Sequence, residues 1–278
     1  MKRKYTGFYF VLPGFAGVLL FYLVPFLDVM RRSVCAALGD GFVGLANYRT
    51  VLTNEAFWLA AKNTGRFLLT CIPCLLALSL LVALGIRELC RLTWLKNLYL
   101  IPFVIPSAAT VLLWQLLLDS RGALNGILAG ITEPVDWMNS GVAFGVLVCC
   151  YIWKNLGYHV VLWLAGLHAV PKEILEAASM DGAGRRELLF HILLPYLRPV
   201  TFMIVVIAIV NSFKVFREAW MLAGSYPQEN IYLLQHLFNN WFLELSMDKL
   251  AAGAMLLALA AAGIMGLLWK FWDKEERS

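Results

Sequence analysis

The chain has 278 residues, of which 61% are hydrophobic and only 15% charged, with a mean hydropathy of +0.73. That leaves too little polar surface for a water-soluble globule, so the chain belongs in a bilayer. Its formal charge of +5 is not gathered into the basic patch that nucleic acid requires, which excludes a nucleic-acid partner.

A bilayer core of about 30 Å takes roughly 20 apolar residues per helix. Six stretches qualify, at about 8–30, 67–86, 98–118, 141–167, 200–220 and 250–271. The expected fold is therefore all-α and polytopic, with six transmembrane helices and residues 1–278 forming one transmembrane domain.

The first stretch reads as a retained helix, because Asp28-Val29-Met30-Arg31-Arg32 offers no small-residue cleavage site. The outer loop at about 31–66 holds Phe42-Val43-Gly44-Leu45-Ala46-Asn47-Tyr48, read as a short amphipathic or irregular segment followed by a polar turn. Cys71 and Cys74 have redox or metal spacing, but they lie in an apolar helix without a nearby His and read as small packing residues. No metal or cofactor site is expected. Pro102 and Pro106 each remove a backbone donor and are expected to bend the third span.

Basic residues set the orientation. With the N-terminus inside, the inner segments carry 13 Lys and Arg and the outer segments 7. Both termini are then cytosolic.

The inner loop at 168–199 differs from the others. Pro171 suits a first helical turn, where its missing N–H costs nothing. Glu173 and Glu176 follow near the positive end of the helix dipole. Ile174, Leu175 and Ala178 share one face by spacing, and Ala177 and Ala178 are small enough for another backbone to approach. Gly182 can end the helix in a left-handed conformation. A second helix begins at Arg185, and Pro195 and Pro199 mark its bend into the fifth span. By amphipathicity alone the segment could equally be a headgroup anchor.

The spacing Glu176-Ala177-Ala178-x3-Gly182-x9-Ile192-x-Leu194-Pro195 resembles the cytosolic signature of the membrane subunits of bacterial binding-protein-dependent ABC importers. Asp181-Gly182-Ala183, Leu194-Pro195-x-Leu197-x-Pro199, Phe42-x-Gly44-Leu45-x-Asn47-Tyr48, Ile101-Pro102 with Trp114, and Phe213-Lys214-x-Phe216 are similar to the carbohydrate-uptake branch of maltose-, glycerol-phosphate- and multiple-sugar-type permeases. The likeness runs from about residue 8 to 270. One departure is Gly224-Ser225-Tyr226-Pro227, where many relatives carry a Gly-Gly-Pro turn.

The resemblance implies a type I importer permease in the bacterial plasma membrane, moving a carbohydrate or related polar solute. It also implies a cytosolic ABC ATPase dimer, a second permease subunit (a heterodimer rather than a homodimer), and an extracytoplasmic solute-binding protein. Segment 171–199 would couple to the ATPase, with Glu176 making a polar contact, Ala177 and Ala178 allowing close packing, and Asp181, Gly182, Ile192, Leu194 and Pro195 completing the motif. The chain itself would not be an enzyme, since no Gly-Lys pair exists to build a phosphate loop.

Charged groups deep in a bilayer usually face the bundle interior or a watery path. Trp153, Asn155, Asn211 and Lys214 are the candidates for a solute path, with Tyr151 and Tyr158 as further rings suited to sugars. They could instead make helix–helix hydrogen bonds. Arg217-Glu218 reads as an interfacial pair or a binding-protein contact. The competing function is an ion-coupled secondary transporter, disfavoured because no carboxylate sits centrally in a span. A membrane enzyme would need a nucleophile–base or metal set, and the spans offer only His159.

Overall fold

In lipid every backbone polar group must be satisfied within the protein, and helices do this residue by residue. The computed structural model describes residues 6–37, 41–88, 101–131 and 133–276; apart from an isolated bridge between Cys35 and Phe42, its regular elements are all helical. Five described helical stretches are long and apolar enough to cross a membrane: Val11–Ser33, Glu55–Arg87, Ala143–Ala169, Arg198–Ala223 and Met247–Lys270. The chain divides into two units, residues 1–58 with 237–270, and residues 59–236 with 271–278.

In the first unit, helix α1 runs over 6–33 as α-helix Thr6–Val18, a π turn Leu19–Leu23, and α-helix Val24–Ser33. Pro25 explains the π turn. It lacks an N–H, and its ring presses on the carbonyl four residues back, so a wider turn placed there relieves the clash. Helix α2, Ala46–Leu52, follows the short loop. Asn47 is buried and donates to the Ser33 and Cys35 carbonyls at 3.1 and 2.7 Å, closing the open end of α1.

Helix α3, Glu55–Glu88, begins twelve residues before the span expected at 67. Asn54 caps it, its Oδ1 accepting the Phe57 N–H at 3.1 Å. The polar positions Lys62, Asn63 and Arg66 hid this extension from a criterion based on apolar runs. They are not loop residues: Asn63 donates to the carbonyls of Glu229 and Tyr232, and Arg66 lies 4.1 Å over the Phe144 ring.

The third expected span is divided. Residues 98–100 lie outside the described residues, and the remainder forms α4, Ile101–Val104, and α5, Ser107–Leu118, separated at Ile105-Pro106. Helix α6, Ala123–Leu128, lies in the following loop, which folds around buried Asn125. Helix α7, Ala143–Ala169, is the most buried of the long helices. After it come α8, Lys172–Met180, and α9 over 185–196, which contains a second π turn, Leu188–Leu193, just before Pro195. Helices α10, Arg198–Ser212, and α11, Val215–Ala223, form the fifth span with a break at Phe213-Lys214. Helix α12, Leu234–Leu243, and α13, Met247–Glu276, complete the chain.

The second unit has two core clusters, and α7 contributes to both. One gathers Phe67, Leu75, Leu147, Tyr151, Ala208 and Val215; the other gathers Ala83, Trp163, Leu167, Leu193, Leu197 and Ile204. Because lipid is as apolar as these side chains, close packing and hydrogen bonds hold the helices together. Trp163 donates to Ser79 Oγ at 3.0 Å, and Tyr151 donates to the Ala208 carbonyl at 2.9 Å. Gly166 permits the closest approach. A Cβ there would lie 2.9 Å from both Leu197 Cδ2 and Val200 Cγ2.

Gly166→Leu is therefore expected to cost about 1–3 kcal/mol through overpacking, read as a lower unfolding temperature in detergent. Gly263→Leu, where a Cβ meets nothing within 4 Å, is the comparison and should change little. Equal losses at both positions would contradict the packing account.

Candidate functional site

Two places in the second unit gather polar groups that a bundle in lipid would otherwise avoid. The first is the turn-rich segment between α7 and α10. Pro171 precedes α8, and Gly182 ends it at φ 82°. The Gly182 N–H bonds to the Ser179 carbonyl at 3.2 Å and the Ala183 N–H to the Ala178 carbonyl at 3.0 Å, which together form a Schellman closure. Next, the Glu187 carboxylate accepts the Gly184 N–H at 2.6 Å and starts α9.

Along α8 the side chains sort by face. Leu175 packs against the core cluster that holds Trp163, Leu167 and Leu193, and Ala178 is buried. Glu173, Glu176 and Ala177 are exposed. Ile174 departs from the expected shared face, being 41% exposed. One helical turn thus presents acid and small residues outward while its back is fixed. In α9, Ile192 and Leu194 are half-buried and Pro195 is exposed, as is Asp181 at the end of α8. The firm anchors are Leu193, which the sequence pattern did not single out, and Leu197, which belongs to the Leu194-Pro195-x-Leu197-x-Pro199 phrase; both sit in the core with residues of α7 and α10.

The second place is a cavity of about 180 Å³ where the two helix breaks meet α7. Phe103 and Ser107 reach it from either side of the Pro106 break, and Asn211, Lys214 and Val215 from the α10–α11 break. Irregular backbone at membrane depth is tolerated where it is buried in protein or lines a polar cavity. Lys154 of α7 forms an ion pair with Glu218 of α11 and donates to Ser107 Oγ at 2.8 Å. The Glu218 side chain is only 8% exposed and that of Lys154 19%. Lys214 donates to Asn211 Oδ1 at 2.8 Å.

Of the four residues proposed for a path, Asn155, Asn211 and Lys214 line this cavity, and Trp153 does not. The Trp153 ring instead meets Trp114 edge-on, with centroids 5.8 Å apart. The Asn155 amide also bonds within α7, donating to the Tyr151 carbonyl at 2.9 Å. The reading of Arg217-Glu218 as an interfacial pair is corrected: Glu218 is buried and pairs across helices with Lys154. A lone cation in one span and a lone carboxylate in another were the signal for this pairing.

Breaking the pair should be costly, because a charge left unpartnered in a buried site costs about 3–5 kcal/mol. Glu218→Ala is expected to lower thermal stability in detergent by that order. The double substitution Lys154→Met with Glu218→Leu should recover most of it. If the double variant is no more stable than the single one, the pair is not what organises the cavity.

The family model described as "Binding-protein-dependent transport system inner membrane component" matches residues 67–272. The chain is 32% identical over 240 residues to the trehalose/maltose transport system permease protein MalF of Thermococcus litoralis, covering 81% of each. It is 31% identical over 242 residues to the arabinooligosaccharides transport system permease protein AraP of Bacillus subtilis, covering 84% of this chain and 76% of that one. Its fold is similar to a chain in the crystal structure of a bacterial ABC transporter involved in the import of the acidic polysaccharide alginate, with a TM-score of 0.84 at 21% identity, covering 98% and 96%.

Proposed function

The chain belongs to the binding-protein-dependent transport system inner membrane components, and on that premise we propose that it is the permease subunit of an ATP-driven importer for a carbohydrate or related polar solute. The relatives named above for trehalose, maltose and arabinooligosaccharides support the carbohydrate class. Family membership also sets aside the ion-coupled alternative.

In this reading the ATP is hydrolysed by a separate cytosolic ATPase dimer. A second permease completes the pore, and an external binding protein delivers the solute. With six spans and both termini cytosolic, as the Lys and Arg distribution supports, α8 would lie on the ATPase side. The observation that carries the coupling role is the two-faced build of α8. Glu176 and Ala177 are free to meet a partner, while Leu175 and Ala178 are held by the core. A helix fixed on its back transmits a push that a loop would absorb. Ala177 lets the partner's backbone come close, and Glu176 supplies a charge for a basic group. Asp181, Gly182, Ile192, Leu194 and Pro195 hold the turn and the second helix that return the chain to the core.

The cavity is smaller than the roughly 300–1,000 Å³ of sites that enclose drug-sized ligands. It is therefore one wall of the solute path, with Asn155, Asn211 and Lys214 on it and the second permease opposite.

Glu176→Lys tests the coupling role. ATP-driven uptake is expected to fall at least about tenfold, the scale of reversing a docked charge, while the permease stays in the membrane at normal level. Gly182→Val should act the same way, since a branched residue resists the left-handed turn. Normal uptake in both variants would remove α8 from the coupling role.

A further inference from the structure

The cavity is lined by three cations, Lys154, Lys214 and Arg217, and by one carboxylate, Glu218. Glu218 is already taken by Lys154. Lys214 and Arg217 have no acidic partner among the described residues, and both are exposed. Lys214 finds only the neutral Asn211. Both lie within the span Arg198–Ala223, with Lys214 ~24 Å along it from Arg198 at 1.5 Å per residue.

Uncompensated cations within a span are costly and turn toward a watery path or a partner. Spaced three residues apart at the start of α11, the two share a face and both reach the cavity. Resting on the importer reading, we propose that the solute passing this wall is an anion, a carbohydrate or polyol bearing carboxylate or phosphate groups. The planar Arg217 guanidinium matches either group with paired hydrogen bonds, and Lys214 adds a point charge one turn away. Asn155 and Asn211 are left to bond hydroxyls. A neutral sugar would satisfy the two amides but leave both charges unmatched.

The test is ATP-driven uptake into proteoliposomes holding the complete importer with its binding protein. The radiolabelled probes are digalacturonate, glycerol 3-phosphate and maltose. One or both anionic probes should be taken up at least about tenfold faster than maltose, the scale of a charge-assisted hydrogen bond. Digalacturonate alone identifies a carboxylate solute, and glycerol 3-phosphate alone a phosphate. Lys214→Gln and Arg217→Gln should raise KM for the anionic probe, whereas Lys214→Arg should restore it, which separates charge from folding. Failure to take up either anionic probe, maltose uptake equal to theirs, or unchanged KM in both Gln variants would overturn the proposal. In the last case a carboxylate of the second permease neutralises the cations. Uptake that persists without ATP would instead overturn the importer reading.

Discussion

A charge inside an apolar slab must find its counter-charge, and the pairing of Lys154 with Glu218 is where this chain meets that demand. The pair ties α7 to α11 across the bundle. Its third member, Ser107, stands just past the Pro106 break, so α5 is tied in as well. Two interrupted spans are thereby held against one continuous helix. The polar cavity follows from this arrangement, because the interruptions expose backbone and amide groups that only a polar niche can tolerate.

The same helix serves the opposite end of the unit. Its Trp163 and Leu167 pack with Leu193 and Leu197, and Gly166 gives up its side chain so that the start of α10 can approach. From there α10 runs without interruption to Ser212, next to the break that carries Lys214. In the proposed importer, a push on α8 meets a packed series of Leu175, Leu193, Leu197 and Ile204 before it reaches the cavity. The π turn before Pro195 and the break at Phe213-Lys214 are the two irregular turns along this path.

The all-helical fold, the long spans and the closure at Gly182 were legible because each rests on local chemistry. An apolar run needs lipid, and a glycine after a helix needs no partner to adopt φ 82°. The early start of α3 was missed for an equally local reason. Asn54-Glu55 signals a helix start, yet Lys62, Asn63 and Arg66 interrupt the apolar run that marks a span. Their partners, the Glu229 carbonyl and the Phe144 ring, are remote in sequence. Glu218 was misread because its neighbour Arg217 offered a nearer partner than Lys154, 64 residues away. Local pairing is the cheaper guess in water. In a membrane, where few carboxylates exist to choose from, the remote cation was the better one. Trp153 shows the limit from the other side: its ring suits a sugar, but which way an aromatic faces on a helix buried by several neighbours is set by tertiary packing.

The central claim is that α8 offers one face to a partner and gives the other to the core. Adjacent alanines test it most directly, because Ala177 is exposed and Ala178 is 9% exposed. With the six native cysteines replaced by alanine, Ala177→Cys and Ala178→Cys are compared for thiol cross-linking to the ATPase in membranes holding the assembled importer. The account predicts a cross-linked product from position 177 and little from 178. Equal yields at both positions, or none from 177, would contradict it.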